Sequence, residues 1–93
     1  MDESLAAAKR HLPARWRTIE ELARSDEDFR LLCVDLGDAE AAAVKWEHSA
    51  SPKRDERIAE YLELVADLVR EIEAALDRAA IISLDGRRRK APS

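Results

Sequence analysis

The sequence predicts an all-α fold: an antiparallel hairpin of two long helices with a shorter N-terminal helical segment packed on it, closed as a three-helix bundle or by dimerisation. Three observations predict it. Ala, Leu, Glu and Arg are abundant while the 93 residues hold only 2 Gly and 3 Pro, so good helix formers are plentiful and tight-turn residues scarce. Apolar residues recur at steps of three and four through two long runs, which is the helical period. The runs are separated by Ser and Pro, residues that stop one helix and start the next.

The first element is short. Leu5, Ala8 and Leu12 make a helical pattern that ends near Pro13, and Trp16, Ile19, Leu22 and Ala23 make a second, together an N-terminal helical segment over residues 4–24. Ser25, with Asp28 three positions on, reads as an N-cap placed before an apolar run, and Asp26, Glu27 and Asp28 suit the positive end of a helix dipole. Phe29, Leu32, Leu36, Ala39, Ala43 and Trp46 then form one stripe of a first long helix over 26–48. Gly37 lies inside this helix, off the stripe, where it costs roughly 1 kcal/mol relative to Ala and permits a bend or a break.

Ser49 to Pro52 interrupt the pattern, with Ser51 placed to cap a helix whose first residue is Pro52. The second long helix, 52–80, carries Ile58, Tyr61, Val65, Leu68, Ile72, Ala75 and Ala79 as its seam and Leu62, Val69 and Leu76 as a flanking column. A face that wide exceeds what a two-helix coiled-coil seam uses. The N-terminal segment or a second copy is expected to cover the flanking column. Folding about Ala50 sets Trp46 near Ile58, Leu36 near Val65 and Leu68, and Phe29 near Ile72 and Leu76. Asp85 and Gly86 read as a helix stop, giving one domain over 1–86 and a disordered basic tail over 87–93.

Charge is unevenly spread. The net charge is −4, but residues 25–86 hold 16 acidic and 7 basic side chains, a balance of −9, and Arg87, Arg88, Arg89 and Lys90 follow directly. An acidic body repels a polyanion, four cations on a flexible end make only a sequence-blind contact, and a recognition helix opening with Asp26, Glu27 and Asp28 would face phosphates with the wrong sign. Nucleic-acid or anionic-membrane binding through that tail is therefore the alternative reading and not the first. The one cysteine, Cys33, offers no intramolecular disulfide, and no apolar stretch suits a membrane span or signal peptide, so a cytoplasmic address is expected.

Catalytic chemistry finds no foothold. A di-metal helical site needs Glu three positions before His, and the residues there are Ala8 before His11 and Lys45 before His48. His48 reads as a helix-end residue and Cys33, beside the seam and near Asp35, as a small packing group. No phosphate loop, nucleophile elbow or CxxC pair is present. No enzyme activity, metal or cofactor is expected. The readable features are contact surfaces: Trp16, Leu62, Val69 and Leu76 as interface candidates, and Glu56, Glu60, Glu63 and Asp67 as an outward acidic column, read first as a solvated face and otherwise as a docking strip for a basic partner. The expected function is a small helical interaction or scaffold module, with a second copy or another protein as partner.

The spacing of Ile19, Leu22, Ala23, Asp26, Phe29 and Leu32, followed by a short loop and RIAEYLELVADLVREI, resembles small bacterial helical-hairpin proteins of uncharacterised function over residues 19–73. The resemblance implies the hairpin and a bacterial cytoplasmic origin, and it carries no site residues.

Overall fold

Two helices set the long axis. In the structure, a computed structural model that describes residues 3–89 and the side chains of 4–81, α3 spans Glu27–Glu47 and α4 spans Arg54–Arg89. They run antiparallel and pack along their shared length. Before them come α1, Ala6–His11, and α2, Trp16–Ser25, each preceded by a single 3-10 turn, Glu3–Leu5 and Pro13–Arg15. No strand occurs among the described residues. The molecule measures 66 × 25 × 21 Å with a radius of gyration of 16.7 Å, against about 12 Å for a compact chain of this length. It is a rod.

The joints are built by local side chains. Leu12 and Pro13 turn the chain between α1 and α2, with the Leu12 N–H donating to the Ala8 carbonyl at 2.9 Å and Pro13 opening the next turn, where its missing N–H costs nothing. Between α2 and α3 the cap is Asp26 and not Ser25: Asp26 has extended backbone and its carboxylate accepts the Phe29 N–H at 3.0 Å. Ser25 instead completes α2. A charged cap also interacts with the helix dipole, which a hydroxyl does not. At the hairpin loop, Ser51 Oγ accepts the Lys53 N–H at 3.1 Å, as expected of a cap, although regular helix starts two residues after Pro52. The Arg54 guanidinium closes the loop by donating to the Glu47 carbonyl at 3.0 Å.

The core forms one cluster at the end of the hairpin away from the loop. Phe29, Cys33, Leu36 and Ala39 of α3 and Val65, Leu68, Ile72 and Leu76 of α4 are buried together with Leu5, Ala7, Ala8, Ile19 and Ala23 of the N-terminal segment. Each large side chain fully buried in this way contributes roughly 1.5–3 kcal/mol relative to exposure. Nearer the loop only Ala43 is buried, outside that cluster. The largest departure from expectation at a helix end is in α4, which does not stop at Asp85 and Gly86 but continues to Arg89. At 36 residues it is 15 longer than α3, and the surplus extends past the start of α3 by about 20 Å. Lys90 to Ser93, the end of the expected tail, lie outside the described residues.

Candidate functional site

A two-helix hairpin has two grooves, one on each side of the contact line. The N-terminal segment fills one of them. Gly37, continuous with its helix on both sides, faces this groove: a Cβ built there would meet the Ala7 Cβ at 3.9 Å, an ordinary contact. Small residues at Ala7, Ala8 and Gly37 thus let α1 approach α3 closely, and α3 runs unbroken through Gly37.

Ion pairs fix the segment in place. Glu40 of α3 receives Arg10 at 2.9 Å and His11 Nε2 at 2.7 Å, Lys9 of α1 pairs with Glu20 of α2 at 2.9 Å, and Arg15 pairs with Asp77 of α4 at 2.8 Å. Burial alone pushes the Glu40 carboxyl up, but the hydrogen bonds and charges of His11 and Arg10 outweigh it and hold the group below the ordinary carboxylate value. Exposed pairs of this kind contribute little individually. Their arrangement matters more, because they tie α1 to α3, α1 to α2, and the turn before α2 to α4.

The opposite groove is open. Asp35, Asp38, Ala39 and Ala42 of α3 and Tyr61, Leu64 and Leu68 of α4 line one shallow depression, and Ala42, Lys45, Trp46, Ser49 and Tyr61 line the next. The two share Ala42 and Tyr61 and so form one trough. Leu64 is 43% exposed in it, Leu68 is its buried floor, and Trp46 and Tyr61 are half-buried along it. One helical turn before Asp35, exposed Leu31 adds apolar surface on the same side of α3. Asp35, Asp38 and Lys45 make no ion pair among the described residues.

The residues expected to form a contact surface are dispersed by the fold. Leu76 is fully buried in the core and is not an interface residue, because the N-terminal segment covers that end of the column. Val69 is half-buried against the same core. Leu62 is 55% exposed, since α1 stops short of the loop end. Trp16 is also exposed, with the Arg17 guanidinium 5.3 Å over its ring. The acidic column is exposed but is not the run of unpaired charge that its spacing suggested: Arg57 pairs with Glu60 at 2.7 Å and Arg70 with Asp67, while Glu56 and Glu63 make no ion pair among the described residues. Arg87, Arg88 and Arg89 fall in the last turn of α4.

Sequence reasoning missed the open trough. Its signal was present in Leu64, which lies three residues after Tyr61 and four before Leu68 and so forms a second flanking column opposite Leu62. Cys33 is buried, which pushes its thiol up to about 11 and disfavours the nucleophilic thiolate. Among the described residues no three His, Cys, Asp or Glu side chains stand close enough to hold a metal ion, and no helix is long and apolar enough to cross a membrane. Comparison with protein-family models, with curated proteins and with solved structures finds no match in any of the three.

Proposed function

We propose that this protein is a small helical interaction module, acting by contact with another polypeptide and not by chemistry on a small molecule. The carrying observation is the asymmetry of the hairpin: one groove is closed by the chain's own N-terminal helices, while the other presents Ala42, Trp46, Tyr61 and Leu64 along a trough with charged ends. Aromatic and aliphatic anchors beside small residues are the composition of helix-receiving surfaces, and a four-helix bundle is the usual way such a groove is filled. A cytoplasmic location belongs to the same proposal, supported by the single buried thiol, which can form no intramolecular disulfide, and by the resemblance to bacterial helical-hairpin proteins.

The test uses a photoreactive side chain at Leu64, in the trough, and for comparison at Glu63, on the outer face. Irradiation in the purified state and in the host cell is expected to give a discrete adduct from position 64 and none from position 63. No adduct from either position would sink the module reading.

A further inference from the structure

We infer that the trough between α3 and α4 receives a second copy of the same chain, antiparallel to the first, so that two hairpins close a four-helix core. This rests on the interaction-module reading and names its partner. The order of charges along the trough points to it. At the loop end stand Lys45 of α3 and, seven residues before Leu64, Arg57 of α4; in the centre are Asp38, Ala39, Ala42, Tyr61 and Leu64, with Asp38 set to face Ala42 of a second copy; at the far end are Asp35 of α3 and, seven residues beyond Leu64, Glu71 of α4. Residues seven apart share a helix face, which puts Arg57, Leu64 and Glu71 in line.

The surface is complementary to itself. On α3 the midpoint between Asp35 and Lys45 is Glu40, and on α4 the midpoint between Arg57 and Glu71 is Leu64. These levels coincide in space, because Leu64 lines the same depression as Ala39 and Ala42, on either side of position 40. A two-fold axis lying in the plane of the trough, across both helices at that level, therefore brings Lys45 of each copy to Asp35 of the other and Arg57 of each to Glu71 of the other, with Leu64 against Leu64 at the centre. An isologous contact requires this pairing of each patch with its own inverse. The parallel arrangement fails: it sets Lys45 against Arg57 and Asp35 against Glu71, like charge on like.

Among the described residues, Lys45, Asp35 and Glu71 carry no ion pair, and Arg57 pairs with Glu60 in an exposed i,i+3 contact. Ala39 and Ala42 allow close approach of the two α3 helices. A patch about 20 Å long and two helices wide removes on the order of 1,000 Å² from water in total, at the lower edge for a specific contact, so the dimer is expected to be concentration-dependent with micromolar dissociation. Charges at such a rim select the orientation more than they add affinity.

The experiment is the mass of the full chain by light scattering across concentration. The expected result is a rise from 10.5 kDa toward twice that value. Leu64→Glu should hold the chain at the monomer mass with its helical circular dichroism intact, since the side chain is exposed in the monomer. Lys45→Glu should weaken the dimer about tenfold or more, because the change acts twice in a symmetric contact, and adding Asp35→Lys should restore it. A monomer at every concentration, or a dimer indifferent to both Leu64→Glu and Lys45→Glu, would overturn the second-copy assignment. In either case an adduct between position 64 and a different protein keeps the interaction-module reading standing, whereas the absence of any adduct removes both.

Discussion

The two halves of the hairpin are built from the same pair of helices and differ in what covers them. In the half away from the loop, α1 and α2 complete a core around Phe29, Leu36, Ile72 and Leu76. In the half near the loop, Val44, Leu62 and Leu64 remain exposed and only Ala43 is buried. Two helices alone present more apolar stripe than they bury on each other, so a third layer decides where stability is stored. The covered half holds the fold, and the bare half is left for contact.

The sharpest way to break this division is to shorten one side chain in each half. Leu76→Ala is expected to cost about 2–5 kcal/mol, the range for emptying a packed core site, whereas Leu62→Ala should stay within about 0.5 kcal/mol. Denaturant midpoints for the two variants measure the difference, and equal losses would show that the halves are not distinct.

A middle-sized effect is expected from the anchor that ends the covered region. Glu40 has a folded pKa below its unfolded value, so its contribution is fully present above the ordinary glutamate pKa and is lost as pH falls through the lowered one. Stability measured between neutral and acid pH should decline through that window. Glu40→Gln should flatten the decline and raise amide exchange in α1, with α3 near the loop unaffected. An unchanged pH profile in the variant would remove Glu40 from the docking of α1.

The smallest expected effect is a gain. Gly37 has no positive φ, and an added methyl would meet Ala7 at normal contact distance. Gly37→Ala should therefore stabilise by roughly 0.5–1 kcal/mol through helix propensity and lower unfolded-state entropy. A loss would mean that the α1 to α3 contact needs a closer approach than the structure shows.

Much of this was legible in the residues themselves. The three-four spacing of Phe29, Leu36, Ile58 and Ile72, the pause at Ser49 to Pro52 and the helical pattern around Ile19 are local signals, because helix period and chain reversal depend on neighbours in sequence. The all-α class and the hairpin followed from them. Tertiary contact decided the rest. Whether Leu76 or Leu64 is covered depends on which groove α1 and α2 enter, and that is set by the fit of Ala7 to Gly37 and of Arg10 and His11 to Glu40, pairs separated by about thirty positions that no local pattern links. The sequence by itself determined which helices form and that their apolar faces exceed one seam; only packing in three dimensions chose the groove that closes, because burial is a property of neighbours in space.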